Sequence, residues 1–493
     1  MEETDGAACV DYGACVDGRA RREQHTCAAA CAGVATSRRR FVGAMAATVA
    51  VPYLAPGVAL GLQTGVPASE RITIGVIGVG VRGNENLSGL MHSPLAQVVA
   101  LCDCHRGKLI STQQRVERHY AEAAGRGVYH GCKTYADFRQ MLARADIDAV
   151  LVTSPDHWHG IHAAEALKSG KDLYCEKPLG RTIAESIAIR NAAVRHARVF
   201  QTGTQQRSDA RFRQACQLAR GGYLGKIHRI EVAVPAGGDI PKQPPAPVPE
   251  GFDYDTWSGP APLHPYDNRR CQWLAMYWIY DYCVGFICNW GIHHLDIAAW
   301  GCPEVVEAPF EVQGVGFLPT EGMCDTLVTW RTEFVYPSGL RMSFTSDRGP
   351  FNWQLGQGLT EQCRRVLEAV DPKLHHAIGC RFLGERGWVH VTRGAISADP
   401  PSLLAERIDP ERAGIAISNN HYADFLEAVR QRREPVSPVE SGHRATILGN
   451  AADIAVRLGR KLKWDWQQEH FIGDEQANRL LAQPMRPPWK LPL

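Results

Sequence analysis

Side chains able to hold a nucleotide or move a proton are concentrated in five short stretches. Gly78-x-Gly80-x-x-Gly83, with Val81 and Arg82 between its glycines, has the spacing that turns a backbone tightly against a pyrophosphate. Asp103 follows Gly83 by 20 residues, where a carboxylate would hydrogen-bond the ribose hydroxyls of a dinucleotide. An acid there repels a 2′-phosphate and favours NAD, while nearby Arg106 leaves NADP open. Ser154-Pro155-Asp156-His157-Trp158-His159 and Glu176-Lys177-Pro178 group carboxylates, imidazoles and an ammonium. Asn289, His293 and Asp296 recur at the spacing of one helix face. Alcohol oxidation by hydride transfer needs a base for the hydroxyl proton and a cation or donor at the developing alkoxide. Lys177 suits the cation and His293 the base, since imidazole titrates near neutral pH. Glu176 would orient the cofactor amide or cap the turn that Pro178 fixes.

The elements that must position these groups follow from apolar runs. Residues 71–77, 97–102, 149–153 and 172–175 read as short buried strands. The first is followed by the glycine turn and a helix from about Arg82, whose N-terminus offers free N–H groups and a positive dipole. Strand and helix then alternate, with a helix over 161–169, which predicts a doubly wound parallel sheet. In such sheets ligands bind past the carboxyl ends of the strands, where both polar clusters fall.

"YCEKPLG", "TSPDHWH" and "NWGIHHLD" resemble signature segments of the glucose–fructose oxidoreductase / inositol dehydrogenase (Gfo/Idh/MocA) family. "FQTGTQQRS", "CRFLGERGWVHV" and "GHRATILGNAADIAVRLGRKLKWD" resemble further segments of a mostly secreted bacterial branch. The resemblance runs from about Arg71 to the end and names no substrate. It implies an α/β chain: an N-terminal Rossmann doubly wound parallel sheet (69–195) and a C-terminal α+β domain (196–493) with a mainly antiparallel open sheet and late helices packing back. Residues 226–234 alternate as a half-exposed strand, 235–251 form a proline-rich loop, and 421–430 and 443–458 read as amphipathic helices.

The resemblance also implies that Ser154, Pro155, His157 and His159 line the nicotinamide pocket, with Trp158 packed beside the cofactor. The family usually has Asp where this chain has Asn289. Asparagine holds geometry but supplies no charge. Asp296 or Asp281 would have to compensate, and His294 points elsewhere on the helix. Gln205, Gln206 and Arg207 follow the strand at 199–202 and either reach a polyhydroxylated substrate or join the domains. Arg269 and Trp273 are further pocket candidates.

The chain has 493 residues and a formal net charge of +2 from 54 basic and 52 acidic residues. That balance argues against nucleic acid as the main partner. None of the 16 cysteines forms a C-x-x-C pair, so buried thiols are expected and no metal site. Ser37-Arg38-Arg39-Arg40-Phe41-Val42 resembles the twin-arginine export signal. A moderately apolar run to Leu62 and a small-residue cleavage site at Val66-Pro67-Ala68 follow, so 1–68 read as a leader with a removable signal peptide and no stable membrane insertion afterwards. An apolar N-terminal helix of the mature fold is the alternative, which the interrupting prolines disfavour.

These readings predict an exported, periplasmic oxidoreductase that exchanges hydride between a tightly held nicotinamide cofactor and a sugar, glycoside or cyclitol. An exposed sheet face predicts a homodimer or homotetramer. Two alternatives stay open: an NAD-dependent redox-assisted glycosidase, and a catalytically silent sugar- or cofactor-binding protein.

Overall fold

The computed structural model describes residues 66–124, 129–347, 359–369 and 377–492. The arginine pair and apolar run of the leader lie outside these residues. The first described segments are a short turn, Ala68–Glu70, and then β1 (Ile72–Ile77), where β-branched residues sit buried on both faces. β2 (Ala96–Cys102), β3 (Lys133–Tyr135), β4 (Ala149–Val152), β5 (Asp172–Cys175) and β6 (Phe200–Thr202) join it in the order β3-β2-β1-β4-β5-β6. Every pairing is parallel. β3 is the strand that the apolar pattern misses. Its residues Lys-Thr-Tyr are largely exposed at the sheet edge and carry no apolar run.

Helices cover both faces. α1 (Val81–Met91) and α2 (Arg106–Ala124) close one face over Ile74, Val98 and Leu151. α3 (Asp156–Lys168) and α4 (Ile183–Arg195) close the other over Val150, Val152 and Leu173. α3 starts five residues before the expected Ile161, so His157, Trp158 and His159 occupy its first turn and not a loop.

The second sheet has nine strands in the order β13-β12-β11-β7-β10-β9-β8-β14-β15. These are β7 (Ile227–Pro235), β8 (Phe310–Phe317), β9 (Thr329–Val335), β10 (Arg341–Asp347), β11 (Gly379–Gly384), β12 (Gly387–Val391), β13 (Ile396–Asp399), β14 (Leu462–Asp465) and β15 (His470–Phe471). Only the β7–β10 pairing is parallel. β7 alternates in its first half and is then buried on both sides, because its end runs into the domain junction. α5 (Ala210–Arg220), α6 (Gly291–Gly301) and α8 (Val439–Leu458) pack on one face through Phe212, Leu295, Ile447 and Leu448. The opposite face stays half exposed, with Val315 on β8 at 73% exposure.

α7 (His421–Gln431) returns to the first sheet. Asn420 caps it by accepting from the N–H groups of Tyr422 and Ala423, both at 3.0 Å. Phe425 and Leu426 then bury against the same face as α1. The rings of Tyr422 and Phe425 pack on Tyr174 of β5, each with centroids 5.8 Å apart. No described helix is long and apolar enough to cross a membrane. Phe425→Ala is expected to destabilise the chain by about 3–5 kcal/mol, read as a lower denaturant midpoint; an unchanged midpoint would mean that α7 does not stabilise the nucleotide half.

Candidate functional site

The carboxyl ends of β1, β2, β4 and β5 open into a cavity of about 860 Å³ whose far wall comes from the second sheet's connections. Gly78 sits at φ +89°, and a Cβ there would meet the backbone of Thr153 and Ser154 at 2.7–2.8 Å. A Cβ on Gly83 would strike the Gly78 carbonyl at 2.2 Å, so this glycine serves packing beneath the turn and does not line the cavity. Gly80 is different: a Cβ there meets nothing within 4 Å. It leaves backbone bare toward open space. α1 begins at Val81 without a side-chain cap, so its first-turn N–H groups remain for a phosphate. Turn, cavity and helix end fit a dinucleotide's pyrophosphate.

Asp103 lines the cavity, as the spacing predicts. Its carboxylate also accepts from the N–H groups of Val79 and His105, both at 2.8 Å, and so shapes the glycine turn. The end of the proline-rich loop closes over it. Arg106 N–H donates to the Gly251 carbonyl at 2.8 Å, Asp253 N–H donates to that of Cys104 at 2.9 Å, and His105 bridges Phe252. The tail covers another edge, with Trp489 against Trp158 and Arg139 over the Trp489 ring.

Glu176 and Lys177 leave β5 in opposite roles. The Glu176 carboxylate is 4% exposed and accepts from Arg82 Nε at 2.9 Å and Asn86 Nδ2 at 2.7 Å. Burial pushes its pKa up, but Arg82, Lys177 and Asn86 outweigh that and hold it below the ordinary carboxylate value. The Arg82 guanidinium is shifted up, chiefly by Glu176. Tyr422 of α7 donates to Asn86 Oδ1 at 2.8 Å, so a C-terminal helix braces this cluster. Lys177 Nζ lies 3.1 Å from both the carbonyl and the side-chain oxygen of Asn289. Burial lowers its pKa from the ordinary lysine value, with Glu176 and Asp156 partly opposing.

Asn289 in turn donates through Nδ2 to both oxygens of Asp156, at 2.9 and 3.2 Å. The missing charge at position 289 is therefore supplied across the cleft by Asp156. It is 4% exposed, in the first turn of α3. Nothing local marks it, because the two residues stand 133 positions apart. His293 also lines the cavity. Burial, then Lys177 and Arg393, hold its imidazole well below the ordinary histidine pKa, so it is neutral at physiological pH. Its Nδ1 has no partner among the described residues.

Ser154, Pro155 and His159 join the cavity wall, together with Val81 and Arg82. The ring nitrogens of His159 lie 2.7 and 2.8 Å from the carbonyl oxygens of Pro178 and Ser154, so the ring braces two loops. Several expectations fail. His157 turns away from the cavity: its Nε2 lies 3.0 Å from the Trp257 carbonyl oxygen, and burial pushes its pKa to about 3. Pro178 and Gln206 are buried outside the cavity lining. Arg207 does not reach it either. Its guanidinium forks onto Asp296 at 2.7 and 2.8 Å, with Asp296 fully buried, and lies over the Trp300 ring. Asp296 is thus an ion-pair residue behind α6 and no catalytic group. The helix starts at Gly291, so Asn289 precedes it, and Asp296, one turn on from His293, is taken up by Arg207 and does not line the cavity. Asp281 pairs with His264 at 2.7 Å and does not compensate for Asn289. Gln205 and Trp273 line the cavity, while Arg269 does not. Among the described residues no cluster of three or more His, Cys, Asp or Glu side chains is arranged to hold a metal ion.

Two family models match the chain. One, described as oxidoreductase family, NAD-binding Rossmann fold, covers residues 72–204. The other, oxidoreductase family, C-terminal alpha/beta domain, covers 238–348 and 408–491. Inositol 2-dehydrogenase 3 of Saccharopolyspora erythraea is 31% identical over 156 residues, which cover 31% of this chain and 42% of that protein. Alpha-N-acetylgalactosaminidase of Shewanella oneidensis is 30% identical over 129 residues, 26% of this chain and 27% of that protein. The chain thus matches less than half the length of either relative. The WlbA dehydrogenase of Chromobactrium violaceum, solved with NADH and UDP-GlcNAcA, superposes with a TM-score of 0.57 at 18% identity over 80% of this chain and 96% of that one. At that identity the likeness is one of fold.

Asn289→Asp would set two carboxylates against each other beside Lys177. It is expected to cost on the order of 3 kcal/mol in thermal or denaturant stability. The exchange Asp156→Asn with Asn289→Asp restores one acid and one amide and should recover most of the loss; no recovery would separate the two residues. By the two family models and the two-sheet architecture that they match, the chain belongs to the Gfo/Idh/MocA oxidoreductase family and carries its NAD-binding Rossmann domain.

Proposed function

We propose that this chain oxidises or reduces a hydroxyl-bearing carbon of a sugar, glycoside or cyclitol, with a nicotinamide cofactor that it holds tightly. The observation that carries the reading is that the half-buried Lys177 ammonium, held on Asn289, and the neutral His293 line the same cavity as the glycine turn and Asp103. Gly78, Gly80 and the start of α1 would hold the pyrophosphate, and Asp103 the ribose, which favours NAD over NADP. Bound NAD supplies a hydride acceptor at the carbinol carbon. The residues do the rest. His293 takes the hydroxyl proton, Lys177 stabilises the alkoxide through its N–H donors, and Asn289, anchored on Asp156, fixes where that ammonium points. In the reductive direction the same proton returns to the new hydroxyl.

The twin-arginine segment supports export of the folded protein with its cofactor already loaded. Away from the cytoplasmic pool the cofactor would be recycled in place by a second substrate. The walls at Phe252 and Trp489 favour such retention. The half-exposed sheet face supports a homodimer or homotetramer. A second reading, a glycosidase that oxidises, eliminates and re-reduces on one NAD, is favoured by the match to an α-N-acetylgalactosaminidase. It would cleave aryl glycosides with no added acceptor, whereas the oxidoreductase would not.

Mass spectrometry of the purified protein is expected to show co-purifying NAD, with Lys177→Ala keeping the nucleotide and losing turnover by at least about 100-fold. Unchanged turnover in that variant would overturn the site. With His293 already neutral, the rise of kcat/KM for oxidation with pH should be complete below about pH 6.5. A limb centred above neutral pH would point to a different base.

A further inference from the structure

One cation at the Lys177 end of the cavity is not absorbed by the chemistry above. The hairpin between β12 and β13 turns at 392–395, where Thr392 N–H donates to the Ala395 carbonyl at 2.9 Å. Arg211 fastens the turn from α5 by donating to the Gly394 carbonyl at 3.2 Å. Arg393 projects from this anchored turn into the cavity wall, with its guanidinium 4.7 Å from the centre of the Trp290 ring. Trp290 immediately precedes α6, three residues before His293. Arg393 has no hydrogen bond to an acceptor and no carboxylate partner among the described residues. Arg393 as a whole is exposed, but partial desolvation of its head group at the cavity wall and repulsion from Arg82 push it below the ordinary arginine pKa, with Glu176 only partly opposing.

The neighbouring charges are already matched. Arg82 is paired with buried Glu176 and, at the exposed rim, with Glu85. Lys177 is tied through Asn289 to Asp156. Arg393 is the one of these three cations with no acidic side chain of its own within reach, and its guanidinium lies 4.7 Å from the centre of the Trp290 ring. The guanidinium fork matches a planar carboxylate with two parallel N–H···O bonds. One cation also balances a monoanion and leaves a phosphate dianion half compensated. An anion placed between Arg393 and Arg82 would relieve their repulsion.

We propose that Arg393 receives a carboxylate on the substrate, so that the molecule handled here is a sugar acid of the uronate type and not a neutral sugar. The inference uses the oxidoreductase reading only to place the substrate at the Lys177 end. Its test reads binding independently of hydride transfer. Quenching of the cavity tryptophans is titrated on the full chain with NAD present. The probes are D-glucuronate, D-galacturonate and D-mannuronate, each beside its neutral methyl ester, together with glucose 6-phosphate. At least one uronate is expected to bind tenfold or more tightly than its ester. Arg393→Gln should erase that preference, a loss of about 10- to 100-fold for the acid alone, and Arg393→Lys should restore part of it. Equal binding of every acid and ester, or equal weakening of both by Arg393→Gln, overturns the proposal. Tighter, Arg393-dependent binding of the phosphate overturns the choice of carboxylate. A uronate that binds through Arg393 without any change in nicotinamide absorbance supports the anion site and removes the redox reading instead.

Discussion

The Glu176 carboxylate is the constraint around which the site is arranged. It is an ionised group that is 4% exposed at the cavity wall. Such a charge is tolerated only when it is paired and hydrogen-bonded, and leaving it unpaired would cost several kcal/mol. Three residues of two helices supply what it needs: Arg82 and Asn86 from the helix after the glycine turn, and Tyr422 behind Asn86 from a helix near the C-terminus. Satisfying this single carboxylate fixes the start of the phosphate-binding helix, the end of β5 and the docking of the late helix together. Lys177, the next residue, inherits that fixed position.

The second half of the chain completes the site by reaching across the cleft. Asn289 connects the lysine to Asp156, so the ammonium, the amide and the carboxylate form one chain of charge and hydrogen bonds running from one sheet's connections to the other's first-turn helix residues. The buried Arg207–Asp296 pair does the structural counterpart of this work behind α6, where its bidentate geometry locks the helix that carries His293. Two similar sets of residues thus divide between function and scaffold: the one at the cavity orients Lys177, and the one buried behind it holds α6.

Much of this was legible in the residues alone. The apolar strands, the glycine turn and the Asp103 spacing predict a doubly wound sheet, and the family resemblance implies the mainly antiparallel sheet after it; both sheets are present. Local pattern failed where structure is set by distant partners. β3 has no apolar run, because an edge strand of three residues needs none. His157, Gln206 and Arg207 look like site residues from their positions after strands, yet they turn into the protein interior.

What the sequence by itself determined is the set of elements, because strand and helix periodicity and glycine turns act over a few residues. It also determined which side chains have the chemistry to transfer a proton or stabilise an alkoxide. The tertiary structure alone decided which of them meet. Asp156 becomes the partner of Asn289 across 133 residues, Asp296 is claimed by Arg207 across 89, and Arg393 is left without a carboxylate. Buried charges must be matched in space, and no spacing along the chain records that matching.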